Sequence, residues 1–249
     1  MVQKRNKIVA IIEARMSSSR LPGKVLLHGV GKPMIGHLIE RLKSIKLIDE
    51  VVVATTTNKD DQKIIDYCST LDVRCFQGSE MNVMDRVYRA ATFFKADTIV
   101  EITGDCPLLD PKICNNVLET YLSSNKDYAN NNTIRSFPDG MDTRVFSTKV
   151  LKKSMSMTTS KLDQEHVSLH IKNNPKIFSF VNVVAPEALY WPELGLTLDE
   201  ESDYVVIKKI IEALYKNNKL FDCYDIIKFL KSNIDIVELN KNVIRKGDT

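Results

Sequence analysis

The sequence predicts an α/β fold on a doubly wound, mostly parallel sheet, and three observations carry that expectation. Ile8-Val9-Ala10-Ile11-Ile12 is an unbroken apolar run, rich in β-branched residues, of the kind a parallel strand buried on both faces requires. Strand-like runs of this type then alternate with helix-period segments as far as residue 122. A loop crowded with cations and hydroxyls, Ala14 to Lys24, follows the first run directly, at the strand end where open α/β sheets bind ligands.

After that loop, Ile35, Leu38, Ile39 and Leu42 recur at helical spacing behind Pro33, which suits a first-turn position, and predict a helix over residues 33–46. Val51-Val52-Val53-Ala54 predicts a second strand, residues 60–68 a helix, Val73-Arg74-Cys75-Phe76 a third strand and residues 84–94 a third helix. Thr98-Ile99-Val100-Glu101-Ile102 predicts a fourth strand, running into Thr103-Gly104-Asp105-Cys106-Pro107 before a helix over 111–122. Beyond Ser123 the rhythm weakens. The polar run Asn130-Asn131-Asn132 and the turn Phe137-Pro138-Asp139-Gly140 read as irregular structure. Further on, the pattern predicts a strand at 143–147, a helix at 162–173, a strand at 177–183, a helix at 201–215 and a short helix at 224–231. One domain over 1–249 is expected, with a substrate-side and dimerisation elaboration around 123–195.

Bulk composition excludes several classes. A chain of 249 residues with 43% hydrophobic content supports a packed core, and a net charge of +3 with acids interspersed gives no basic stripe for nucleic acid. No apolar segment reaches membrane-spanning length and no signal-like run follows the N-terminal cations, so no membrane partner and a cytoplasmic location are expected. Cys68, Cys75, Cys106, Cys114 and Cys223 form an odd set without a Cys-x-x-Cys pair, which fits reduced thiols better than a zinc knuckle.

Arg15, Arg20 and Lys24 would serve equally as a solvated basic loop, but their place at a strand end favours phosphate. Guanidiniums grip phosphate oxygens bidentately, lysine adds a mobile point charge, and Ser18 and Gly23 allow close approach. The loop lacks the Walker pattern, and Gly29-x-Gly31 fails as a dinucleotide fingerprint because Met34 stands where the third glycine belongs. Asp105 ends a buried strand and would project over the sheet edge, or cap a turn. Asp199 follows Leu196-Thr197-Leu198 and precedes an amphipathic helix, where capping is as good a reading as chemistry. Together the two carboxylates suit Mg²⁺, which takes one or two carboxylates plus phosphate oxygens and water. His166 and His170 are four apart in the expected helix 162–173 and would share a face, but no third zinc ligand is identifiable. Asp139 and Asp142 read as turn residues or as contacts to a polar ligand, and nothing marks Cys106 as a nucleophile.

These residues carry a resemblance. Ala14-Arg15-x-x-Ser18-x-Arg20-Leu21-Pro22-Gly23-Lys24 and Gly31-Lys32-Pro33-Met34-Ile35 resemble the nucleotide-binding loop and following segment of the sugar cytidylyltransferase superfamily, nearest the spore coat polysaccharide biosynthesis protein F type, with CMP-Kdo and CMP-sialic acid synthetases as wider relatives. Asn82-Val83-Met84-Asp85-Arg86, Thr103-Gly104-Asp105-Cys106-Pro107, Pro138-Asp139-Gly140-Met141-Asp142, Glu165-His166-Val167 and Leu196-Thr197-Leu198-Asp199 resemble its further motifs, in the same order. The resemblance implies a fold of the nucleotide-diphospho-sugar transferase type and transfer of CMP from CTP to a small sugar-acid-like acceptor with release of pyrophosphate. It implies Mg²⁺ on Asp105 and Asp199. Nucleotide contacts are implied from Ala14, Arg15, Ser18, Arg20, Lys24, Thr103 and Arg86, the last near base and ribose, with Arg15, Lys24 and Asp105 as the catalytic set. Asp139, Asp142, Glu165 and His166 fall on the acceptor side, and a homodimer is expected. CMP-Kdo synthetases read Gln-Gly-Asp-Glu-Pro where this chain has Thr103-Gly104-Asp105-Cys106-Pro107, and Glu200-Glu201-Ser202 replaces the proline that usually follows the second acid. A metal-dependent glycosyltransferase would share the sheet, but no Asp-x-Asp pair occurs, and a nucleotide sensor without chemistry would bind CTP and release no pyrophosphate.

Overall fold

The computed structural model of the protein describes residues 5–245. In chain order the elements are β1 (Ile8–Glu13), the short pair β2 (His28–Gly29) and β3 (Lys32–Pro33), α1 (Met34–Lys43), β4 (Glu50–Thr56), α2 (Gln62–Thr70), β5 (Arg74–Gly78), α3 (Val83–Phe93), β6 (Thr98–Thr103) and α4 (Pro111–Ser123). There follow β7 (Tyr128–Asn130), β8 (Arg144–Ser147), α5 (Thr148–Met155), α6 (Lys161–Glu165), α7 (Leu169–Asn173), β9 (Phe180–Asn182), α8 (Glu201–Leu214), α9 (Cys223–Lys231) and α10 (Ile234–Glu238).

Seven strands form one sheet in the order β5-β4-β1-β6-β8-β7-β9. β1 pairs in parallel with both β4 and β6, and β4 with β5, so the first four strands are the parallel, helix-alternating unit the sequence predicts. β8 runs antiparallel to β6 and β7, which makes the sheet mixed at that side. The winding reverses between β1 and β6, and at such a switch point the loops at the carboxyl ends diverge and leave a crevice.

Alternation along β1 builds both layers. Ala10 and Ile12 face a cluster with Ile35, Leu38 and Leu42 of α1 and Val117 of α4, while Val9 and Ile11 face Val87, Ala90 and Ala91 of α3. Each such aliphatic contributes about 1.5–3 kcal/mol by leaving water. A third cluster joins α8 and α9 to Met34, Leu196 and Leu198 and holds the segment that carries Asp199 beside Met34 of α1 and Leu108 of the loop after β6. No helix among the described residues is long and apolar enough to cross a membrane.

The later half departs from expectation. Asn130, Asn131 and Asn132 are buried, not loop-exposed, and serve as an internal polar bracket. Asn131 donates to the Met141 carbonyl and accepts from the Thr143 amide, and Asn132 donates to Asp142. The expected helix at 162–173 breaks into α6 and α7, because His166 leaves helical geometry (φ −109°, ψ 84°). That break buries Val167 beside Ile171 in the α3-side cluster. It also separates the two histidines: His166 lines the cleft, whereas the His170 ring sits at hydrogen-bond distance (3.0 Å) from the Ser154 hydroxyl and edge-on to Phe178. β7, α5 and α10 have no counterpart in the sequence reading, although Ser147 caps α5 by accepting from the Val150 amide.

Candidate active site

The loop after β1 is fixed by backbone bonds rather than by its charges. Asp61, buried, accepts from the Met16 amide at 2.7 Å and the Thr56 amide at 3.1 Å, and the Met16 carbonyl accepts from the Gly23 amide at 2.9 Å. Gly23 takes the left-handed conformation (φ 71°) that opens the short 3-10 turn Lys24–Leu26, and this turn aims Lys24 into the crevice. Its ammonium lies 3.0 Å from Asp105 Oδ2 and 3.0 Å from Asp199 Oδ1. Arg20 reaches the same Asp199 oxygen at 2.9 Å, while Arg15 stands 3.7 Å from Glu80.

Asp105 arrives from the neighbouring strand end. The Gly104 amide donates to the Glu13 carbonyl at 2.8 Å, and a Cβ at 104 would fall 2.8 Å from that oxygen, so only glycine lets β1 and β6 close here. The Asp105 carbonyl accepts from Leu198 at 2.8 Å, which draws Asp199 alongside. Neither acid is a cap: Glu200 is the N-cap of α8, and Asp203 bonds back to the amides of Asp199 (3.1 Å) and Glu200 (2.9 Å), leaving the Asp199 carboxylate to the cleft. Burial works to raise the Asp105 carboxyl, but Lys24 and hydrogen bonds from its neighbours outweigh it, so the group sits below the ordinary aspartate range. Burial likewise opposes the Lys24 charge, and the two aspartates hold its ammonium above the usual lysine value.

On the other side of the crevice, acids and arginines alternate. Glu101 lies 3.6 Å from Arg144, Arg144 3.7 Å from Asp142, Asp142 3.3 Å from Arg135, Arg135 3.1 Å from Asp139, Asp139 3.7 Å from Arg245, and Arg245 2.6 Å from Asp203. Gly140 allows this wall to form, since its φ is +101° and a Cβ there would meet the Leu196 carbonyl at 2.8 Å. Glu13, under the floor, has an oxygen sealed from solvent without a hydrogen-bond partner among the described residues; burial and then Glu101 push its carboxyl up to about 8. Arg86 is buried and donates to the Ser79 carbonyl, pinning the turn between β5 and α3.

Thirteen of the residues singled out from the sequence line one cleft of about 330 Å³: Ala14, Arg15, Ser18, Arg20, Lys24, Arg86, Thr103, Asp105, Asp139, Asp142, Glu165, His166 and Asp199, whereas His170 lies outside it. The sequence reading missed Glu13, Glu101, Arg135, Arg144 and Arg245 on the same walls. A signal existed for Glu13 and Glu101, because a carboxylate inside an otherwise apolar strand run needs a reason to be there. No group of three or more His, Cys, Asp or Glu suited to a metal occurs among the described residues. The Asp105–Asp199 pair, all oxygen and converging on one cation, fits Mg²⁺ completed by phosphate and water rather than zinc.

A cationic loop facing paired carboxylates at the switch point of a doubly wound sheet defines a site of the nucleotidyltransferase class. The chain belongs to the cytidylyltransferase family, whose model matches residues 9–243. It is 37% identical to an uncharacterized protein of Methanocaldococcus jannaschii, covering 97% of each chain, and 32% identical to spore coat polysaccharide biosynthesis protein SpsF of Bacillus subtilis, covering 85% of this chain and 87% of that one. Among solved structures, a cytidylyltransferase from Leptospira borgpetersenii superimposes with a TM-score of 0.89 at 31% identity, covering 98% of this chain and all of the other.

Proposed function

We propose that this enzyme transfers CMP from CTP to a hydroxyl of a sugar acid or related polysaccharide precursor, releasing pyrophosphate, with Mg²⁺ as its cofactor. The observation that carries the reading is the convergence of Lys24 and Arg20 on Asp105 and Asp199 at one crevice. The Bacillus subtilis relative is by name a polysaccharide biosynthesis protein, which supports the acceptor class. In the reaction the acceptor oxygen bonds to the α-phosphorus as the bond from it to the oxygen bridging to the β-phosphate breaks, pyrophosphate leaves with that oxygen, and the hydroxyl proton passes to solvent water. Arg15, Arg20 and Lys24 hold the β- and γ-phosphates and neutralise the charge that grows on departing pyrophosphate, while Ser18 and Ala14 let the chain approach closely. Asp105 and Asp199 would hold Mg²⁺, which when bound would supply charge neutralisation and ease loss of the acceptor's hydroxyl proton. Arg86 and Thr103 border the nucleotide, and Asp139, Asp142, Glu165 and His166 orient the acceptor.

The test is a matrix of the four nucleoside triphosphates against sugar acids and sugar phosphates, with Mg²⁺ and a pyrophosphate readout. CTP with a sugar acid should give release that stops on chelation. Binding of CTP with no pyrophosphate from any pair overturns the reading in favour of a sensor.

A further inference from the structure

The last described stretch, residues 240–245, turns back into the cleft. Asn240 is buried and donates to the Gly195 carbonyl at 3.0 Å and to Asp203 Oδ1 at 2.7 Å. Arg245 converges on the same oxygen at 2.6 Å, stands 3.3 Å from the Thr197 hydroxyl, and lies so close over Gly195 that a Cβ there would fall 1.8 Å from its Cζ. One residue earlier, the Ile244 carbonyl accepts from Arg20 at 3.0 Å. Asp203 is fully buried and passes the constraint on, because its second oxygen holds the Asp199 and Glu200 amides. This strap therefore touches the phosphate loop through Arg20, the acceptor wall through Asp139, and the candidate metal carboxylate through Asp203.

We propose that the strap is a positioning element of the active centre, with Arg245 fixing Asp199 through Asp203 so that its carboxylate is set for the divalent cation. A carboxylate sealed from solvent keeps its orientation only while cationic and hydrogen-bonding partners satisfy it, and Arg245 is the cation bonded to Asp203. Without it, Asp203 turns toward other donors and the amides of Asp199 and Glu200 lose a well-aimed acceptor. Arg245 stands outside every motif quoted from the sequence and two positions beyond the family match. The inference rests on the metal role proposed for Asp199.

The experiment uses the full chain with Arg245→Ala, Arg245→Lys and Gly195→Ala, the last pushing the guanidinium away without removing a charge. Mn²⁺ binding is read by electron paramagnetic resonance in the presence of α,β-methylene-CTP, with binding of that analogue measured separately in EDTA. Loss of a group that orients a metal ligand typically weakens metal affinity about 10- to 100-fold, so Arg245→Ala should raise the Mn²⁺ dissociation constant about tenfold, with partial recovery in Arg245→Lys and no change in analogue binding in EDTA. Gly195→Ala should shift it in the same direction, and decides the matter if Arg245→Ala does not fold. Unchanged Mn²⁺ affinity in the folded variants, or faster turnover in Arg245→Ala, which would mark the strap as an obstruction, overturns the proposal. If the unaltered protein takes up no Mn²⁺ with the analogue, the metal role of Asp199 itself fails.

Discussion

The two walls of the cleft are built on opposite principles. The wall proposed to hold phosphate is local: Arg15, Ser18, Arg20 and Lys24 come from one loop between β1 and its following turn, held by the Met16 amide on the Asp61 carboxylate and the Gly23 amide on the Met16 carbonyl. The wall proposed to face the acceptor is distributed, with Glu101 on β6, Asp142 and Arg135 from the loop before β8, and Arg245 from the 240–245 stretch, each acid already matched to an arginine. A phosphate presents the same oxygens in every nucleotide, so one rigid loop suffices. An acceptor is distinguished by the spacing of several groups, and spacing is set by elements that approach from different directions.

The sharpest way to break this comparison is at the point where the walls meet. Asp105→Asn keeps the shape but removes the charge that faces Lys24, and turnover should fall by about a thousandfold with the melting temperature retained; a variant within tenfold of the parent in a pyrophosphate assay would sink the assignment. Next in size is a crossed pair. Lys24→Ala should raise the KM for CTP by about tenfold and barely touch that of the acceptor, whereas Arg135→Ala should do the reverse. Parallel changes in both constants would mean the walls are not separable.

A third test is thermodynamic. Burial and Glu101 lift the Glu13 carboxyl from 4.5 to about 8. Below pH 4.5 this group is protonated in both folded and unfolded chains; between 4.5 and about 8 only the unfolded chain ionises, which disfavours folding by about 1.4 kcal/mol per pH unit, and above 8 the loss is constant. Glu13→Gln should therefore raise the melting temperature by an amount that is near zero at low pH, grows toward pH 8 and then levels. A pH-independent gain, read from melts across that range, would show that Glu13 does not carry the proton.

What could be read from the sequence follows the same division. The β1 to α4 unit obeys simple periods, and the Ala14 to Lys24 loop is contiguous, so both were legible. Asp105 and Asp199 are paired by their chemistry and by the resemblance, whereas the Leu198–Asp105 backbone bond that draws them together leaves no local trace in the sequence. Asn131 and Asn132 are irregular, as their composition predicts, but their burial was not legible, because the Met141 carbonyl, the Thr143 amide and the Asp142 carboxylate that satisfy their amides lie ten or more positions away. The short α5 and β7 fall below the length at which a period can be counted. Arg245 and Asp203 pair across 42 positions, a distance at which charge patterning says nothing.

The bond between Arg20 and the Ile244 carbonyl spans 224 positions. During synthesis the parallel strands and the Arg20 loop emerge early and can begin to fold, whereas the stretch that closes over them follows 224 positions later. A nascent chain thus builds the Arg20 loop well before the Ile244 carbonyl is there to accept from it.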